Sequence, residues 1–307
     1  MLDRSKVNMI EFDLTGTCNL NCPLCARNYK TLNEAGKIFY NERSVEDIIE
    51  QIKLFPNLNK INLVGATSEP TLYKEIFHLI KELHNLNLDI EICTNGDTHN
   101  PEWWYKLGKL LKEGDSVYFS VCGSTQELHE TYRVNCSLDN LLANAAAFKN
   151  INKNDYIQHI LFAYNKEDLN STKMREMIET FNNVNYTKTY FTRDHSTYVD
   201  DYNLEKLPIH NEDLKFYQTA INYTNQLINK TKLERKSKTM HCTSFEDGSI
   251  HIDQSGNIYP CYIWLEESGI NIWDQDYGKI LDFEYDCCKF CEKNIRNILR
   301  SKGCELL

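Results

Sequence analysis

Strand-like and helix-like runs alternate along the first two-thirds of this 307-residue chain, and that alternation limits the folds it can adopt. Residues 9–14 (MIEFDL), 60–65 (KINLVG), 89–94 (DIEICT), 116–123 (SVYFSVCG), 156–165 (YIQHILFAYN) and 186–192 (YTKTYFT) read as strands. Between them, 44–55, 72–86, 101–112, 137–150 and 171–183 read as helices. Ser44 suits the cap of the first, with Asp47 three residues on. Pro101 suits the first turn of the third. Six β/α repeats in roughly 190 residues are the pattern of a parallel sheet or barrel. The fold class is therefore α/β, a partial (β/α)6 TIM-like barrel.

The rhythm breaks after Thr192. Residues 193–211 are polar and irregular, 212–230 read as a helix, and the texture changes again from Met240. Residues 249–261 (SIHIDQSGNIYPC) read as a hairpin turning at 253–256, and six of the twelve cysteines lie between Cys242 and Cys304. The expected division is a barrel over 1–211, a helical linker over 212–239, and a small cysteine-rich hairpin and helix domain over 240–307.

Composition excludes several classes of function. A net charge of −10 argues against a nucleic-acid footprint. No run approaches the roughly 20 apolar residues of a membrane span, and the first residues lack the apolar core of a signal peptide. The expected compartment is the cytoplasm. Twelve cysteines in a reducing compartment point to metal binding or chemistry rather than disulfides. The nine histidines form no HxxxH or HxH pair, so metal chemistry here is sulfur chemistry, iron–sulfur or zinc.

The stretch CNLNCPLC, Cys18 to Cys25, follows the first strand. Its cysteines stand at i, i+4 and i+7, one face of a helix, which a packing role would suit. Pro23 inside the run opposes a helix, and Asn19 and Asn21 favour a loop. Three thiols on a loop at the C-terminal edge of a barrel strand lie where barrels place active sites. Four thiolates close a cluster or a zinc site. Three leave one iron of a 4Fe–4S cluster open to a substrate or cofactor atom.

CNLNCPLC resembles the CxxxCxxC signature of the radical S-adenosylmethionine (radical SAM) enzymes. The resemblance spans about residues 8–192 as an ordered series. It implies that Cys18, Cys22 and Cys25 hold a 4Fe–4S cluster whose open iron chelates SAM. Reduction then gives methionine and a 5′-deoxyadenosyl radical that takes hydrogen from a substrate. VGATSEPTL (64–72) stands where the family has a GGEP-like motif, with two residues inserted. It implies Glu69 as acceptor for the SAM ammonium, with Gly65 and Ser68 letting the backbone approach; Glu69-Pro70 also reads as a plain helix start. CTNG (93–96) is similar to the family's TNG and brings Asn95 to the site. FSVCGSTQELHETYR (119–133) is similar to SxDG…H…YR, implying that Ser120 reaches the SAM ribose or carboxylate and that Arg133 pairs with the carboxylate. Cys122 stands where the family has Asp. Asn165, ending strand five, is a further expected contact to SAM or substrate.

Cys242, Gly256 and Cys261 resemble the opening of the SPASM and twitch auxiliary-cluster domains, and DCCKFCEK (286–293) adds Cys288 and Cys291. Cys242, Cys261, Cys288 and Cys291 would close one auxiliary 4Fe–4S cluster, with Cys287 and Cys304 as alternative ligands. Structural zinc suits the same four thiolates. The resemblance implies electron transfer by that cluster, a reductant such as flavodoxin or ferredoxin, and a small-molecule or peptide substrate. The alternatives are an enzyme with structural zinc in its C-terminal part, and a non-enzymatic metal-binding module.

Overall fold

The structure, a computed structural model, describes residues 4–22, 25, 27, 42–65, 67–159, 164, 165, 167, 168, 171–185, 249–252, 258 and 259. Six strands, β1 (Met9–Phe12), β2 (Lys60–Leu63), β3 (Asp89–Thr94), β4 (Ser116–Val121), β5 (Asp155–His159) and β6 (Asn183–Asn185), form a parallel sheet in the order β6-β5-β4-β3-β2-β1. Five of them fall on runs expected from the sequence. β6 begins ahead of the expected sixth strand, whose residues 186–192 lie outside the described residues. The helices are α1 (Val45–Ile52), α2 (Ile76–Asn85), α3 (Pro101–Leu110), α4 (Gln126–Tyr132), α5 (Leu138–Lys149) and α6 (Thr172–Ile178). This is the α/β parallel-sheet architecture that the alternation predicts.

Local chemistry sets the helix starts. The Ser44 hydroxyl accepts from Asp47 N at 3.2 Å, as the capping pattern predicts. Asn100 accepts from Trp103 N, and Pro101 follows where a missing N–H costs nothing. Thr125 caps α4 through Leu128 N. At seven residues α4 shows no readable periodicity, and the sequence reading passes over it.

The strand register separates two faces. Ile252, Phe12, Leu63, Ile92 and Val117 pair across five strands and form one apolar row, each no more than 2% exposed. The helices cover this face: Trp104 of α3 and Phe148 of α5 both pack on Phe119, at ring-centroid distances of 5.0 and 6.1 Å. Strand alternation sends the neighbouring residues to the opposite face. There Glu11 pairs with Asn62 and Asn62 with Glu91, while Cys93 pairs with Tyr118 and Tyr118 with Tyr156. Lys60 Nζ binds Glu91 Oε2 at 2.5 Å, and the Tyr118 and Tyr156 rings stack at 4.8 Å. The inner face is thus polar.

The expected hairpin is present as β7 (Ser249–Ile252) and β8 (Ile258–Tyr259), antiparallel to each other. β7 also pairs in parallel with β1, from Met9↔Ser249 to Phe12↔Ile252, and Asp13 N donates to Ile252 O at 2.9 Å. The C-terminal hairpin therefore extends the barrel sheet past β1. Among the described residues no helix is long and apolar enough to cross a membrane.

Candidate active site

The loops leaving β1, β2, β3 and β4 are tied to one another at the C-terminal edge of the sheet. Leaving β1, Cys18 and Cys25 are half-buried and Cys22 is buried. Cys25 N donates to Cys22 O at 3.1 Å, a turn that the proline-containing run allows, and Leu20 N donates to Cys18 Sγ at 3.4 Å. Burial, opposed by the Leu20 bond and reinforced by Glu69, Cys25 and Cys22, pushes the Cys18 thiol up to about 12. A thiol is a metal ligand only as thiolate, so a metal bound here would have to displace its proton.

The loop after β2 crosses the first. Glu69 N donates to Thr17 O at 2.8 Å, and Ser68 Oγ to Asp13 Oδ1 at 3.3 Å. Arg27 reaches Thr67 O at 3.2 Å and also donates to Gly16 O. A Cβ on Gly65 would lie 1.7 Å from Ser68 O, so only glycine admits this close return of the chain.

Glu69 is 2% exposed and joins the second loop to the third. Its Oε1 accepts from Thr71 N (3.2 Å), Thr71 Oγ1 (2.7 Å) and Thr94 Oγ1 (2.7 Å), and its Oε2 from Asn95 N (2.8 Å). It also caps a short 3-10 turn, Pro70–Leu72, so the plain helix-start reading is met. Burial raises its carboxyl above the ordinary range, against these donors.

The loop after β3 explains its Thr-Asn-Gly sequence. Thr94 Oγ1 donates to Glu69 and accepts from Gly96 N at 3.0 Å. Asn95 Oδ1 accepts from Asp97 N at 2.9 Å. Gly96 has φ +74°, and a Cβ there would meet Phe119 at 2.8 Å and Leu141 at 2.9 Å. Gly96→Ala should cost about 1–3 kcal/mol, from left-handed backbone strain plus overpacking. Urea unfolding checks this, and an unchanged midpoint would contradict the packing described.

The loop after β4 closes the ring. Ser120, 8% exposed, stands near its start, and Arg133 follows α4. Asn21 N donates to Val134 O at 3.0 Å, and Arg133 Nη1 lies 4.0 Å from Cys22 Sγ. Cys122 is fully buried: its N donates to His129 Nδ1 at 3.2 Å and its O accepts from Asn165 Nδ2 at 2.8 Å. Asn165 thus staples the exit of β5 to that of β4.

Every expected residue of the barrel site (Cys18, Cys22, Cys25, Gly65, Ser68, Glu69, Asn95, Ser120, Arg133 and Asn165) lies on these loops or strand ends. Cys242, Cys261, Cys288, Cys291, Cys287, Cys304 and Gly256 lie outside the described residues. The sequence reading missed Thr71, Thr94, Asn19 and Arg27; the Thr of CTNG was the only visible signal.

Two histidines stand in the wall behind this site. Burial, with Arg133 and His159 adding, holds His129 down to about 3, and burial holds His159 down to about 4 against Asp168 and Val121. Both folded values are depressed below the ordinary 6.5. As pH falls below 6.5 the unfolded chain takes up protons that the folded chain refuses, so stability is lost until the folded values are reached. Between about pH 7 and pH 5 each histidine should cost about 2 kcal/mol. His159→Leu should flatten that limb in urea titrations at the two pH values; an unaltered slope would show that His159 is not held neutral.

The donor set fits an iron–sulfur cluster with an open iron. Among the described residues no three His, Cys, Asp or Glu side chains converge on a single metal ion. A cubane asks for something else, one thiolate per iron. Three soft sulfurs on one loop, with N–H donors facing them, meet that requirement.

The model of the Radical SAM superfamily matches residues 13–180, more than half of the chain. The chain belongs to the radical SAM superfamily. Members of this family are enzymes, and the family implies a 4Fe–4S cluster and SAM. The chain is 29% identical over 157 residues to a probable GTP 3′,8-cyclase of Methanothermobacter thermautotrophicus, covering 50% of this chain and 42% of that protein. It is 31% identical over 99 residues to the S-adenosylmethionine-dependent nucleotide dehydratase of Fibrobacter sp. strain UWH6, covering 30% of this chain and 28% of that protein. The matched parts span less than half the length of these curated relatives. Among solved structures, Streptococcus suis SuiB bound to its precursor peptide SuiA superposes with a TM-score of 0.58 at 17% identity, over 93% of this chain and 69% of that one. SuiB bound to S-adenosylmethionine gives the same TM-score at 16% identity, over 89% and 65%. At such identities the likeness is one of fold.

Proposed function

We propose that this chain cleaves SAM reductively and abstracts hydrogen from a substrate. The observation that carries the reading is the convergence of the three-cysteine loop with Glu69, Asn95 and Arg133. When bound, the cluster supplies one electron to SAM, giving methionine and a 5′-deoxyadenosyl radical.

The chain's own residues do the rest by binding and orienting. Cys18, Cys22 and Cys25 would hold the cluster through their thiolates. Glu69 Oε1 is occupied by three donors, whereas Oε2 takes Asn95 N, so Oε2 is the oxygen we assign to the SAM ammonium. A cation there would favour the ionised carboxylate that burial opposes. The Gly65–Ser68 return lets the backbone approach the methionine end. Ser120 is assigned to the ribose or carboxylate and Arg133 to the carboxylate. Asn165 acts by fixing Cys122 O.

The polar inner face, with Glu11, Asn62, Glu91, Cys93, Tyr118 and Tyr156, suits a polar small molecule or a peptide side chain. A reductant such as flavodoxin or ferredoxin would supply the electron. Cys242, Cys261, Cys288 and Cys291 are assigned as the four thiolates that would hold an auxiliary 4Fe–4S cluster, which would supply a one-electron acceptor or relay for the substrate, in a domain over 240–307.

Iron, sulfide and zinc per chain after anaerobic reconstitution test this. Two 4Fe–4S clusters give about eight irons. About four irons with one zinc would keep the barrel site and remove the auxiliary cluster. Zinc alone would overturn the reading.

A further inference from the structure

Two side chains of the site, Asn95 and Arg133, point amide or guanidinium hydrogens at the cysteine sulfurs. Asn95 is 4% exposed, and its amide orientation is fixed from both ends. Oδ1 is taken by Asp97 N at 2.9 Å, so Nδ2 must face the other way. There it has two hydrogens and two acceptors, Asn19 Oδ1 at 2.8 Å and Cys18 Sγ at 3.9 Å. Its backbone N is held by Glu69 at 2.8 Å, which sets the height of the side chain over the cysteine loop.

Arg133 does the same from the opposite wall. Nη1 lies 4.0 Å from Cys22 Sγ, and the guanidinium also bonds the Cys122 side chain. The neighbouring connection Asn21 N to Val134 O, 3.0 Å, fixes the distance between the two loops. Cys18 thus receives Leu20 N and Asn95 Nδ2, and Cys22 receives a charged donor.

We infer that Asn95 and Arg133 are positioning residues that hydrogen-bond the Cys18 and Cys22 thiolates and raise the reduction potential of the cluster they hold. A donor at a thiolate draws off negative charge and favours the reduced, more negative cluster; such bonds are among the determinants of cluster potential. The inference rests on the reading of the three cysteines as cluster ligands. It also gives Glu69 a task independent of SAM, since Glu69 aligns Asn95.

The test is an EPR-monitored potentiometric titration of the reconstituted chain without SAM. Asn95→Ser keeps an acceptor for Asp97 N and removes the amide hydrogens without adding charge. Arg133→Gln keeps an N–H donor without charge, and Arg133→Met removes both. The expected result is a lower midpoint potential for Asn95→Ser and for Arg133→Met, with Arg133→Gln between Arg133→Met and the parent. Equal potentials for Arg133→Gln and Arg133→Met would mean charge alone and overturn the hydrogen-bond role of Arg133. If Arg133→Met does not load iron, Asn95→Ser decides: a midpoint equal to the parent's overturns the inference. A parent chain that binds no iron through Cys18, Cys22 and Cys25 would instead overturn the site reading, and this inference with it.

Discussion

Cys22→Ser is expected to lose the barrel cluster and to form 5′-deoxyadenosine at no more than background. The loss should be all-or-none rather than graded. With Cys22 gone, two thiolates remain for a cluster that uses three, and the hydroxyl of serine is a far weaker iron ligand than thiolate. Cys22 is also the buried member of the loop and faces Arg133, so its loss removes one of the two sulfur partners of that cation. Iron analysis and chromatography of the SAM products check this. Cys93→Ser is the control: Cys93 lies on the inner face of β3, near Asn62 Oδ1 at 3.8 Å, and its loss should leave iron content unchanged. Full activity in Cys22→Ser would remove the three-cysteine site.

Glu69→Ala should be the most destabilising single change in the barrel loops. It strands Thr71 N, Thr94 Oγ1 and Asn95 N in a buried place, and leaves Thr71 Oγ1 with only Thr98 Oγ1, at 2.6 Å. A buried donor without an acceptor costs about 1–3 kcal/mol, and relaxation recovers part of the sum. A loss of roughly 3 kcal/mol or more is expected in urea unfolding of the metal-free chain. Glu69→Gln keeps the Oε1 acceptor, presents an amide to one donor, and should cost less. Without iron or SAM present, a large loss measures the loop network alone. A loss under about 1 kcal/mol would mean that the four bonds do not hold the loops together.

The two faces of the sheet explain what could be read in advance. Ile10, Phe12, Ile61, Leu63, Ile90 and Ile92 alternate with polar neighbours, and a period of two survives in any context where one face is buried. β7 was legible as half of a hairpin but not as the partner of β1, because strand pairing over such a separation leaves no local trace. Its apolar Ile250 and Ile252 match Ile10 and Phe12 in kind, which becomes informative only once the register is known. α4 is too short for its periodicity to show. In the site, residue types were legible and their partners were not. Glu69 could be seen as a helix start or as a ligand; its tie to Thr94 and Asn95 needs β2 and β3 side by side. Arg133 could be matched to SAM by motif, while its approach to Cys22 depends on how α4 returns over the first loop.

The central claim is that CNLNCPLC stops at three cysteines because the fourth position is for SAM. The most direct measurement is 5′-deoxyadenosine formed from SAM by the anaerobically reconstituted chain on addition of dithionite. The expected result is deoxyadenosine that depends on the chain, on iron and on the reductant, and that disappears in Cys18→Ser, Cys22→Ser and Cys25→Ser. An iron-loaded chain that leaves SAM intact under these conditions would contradict it.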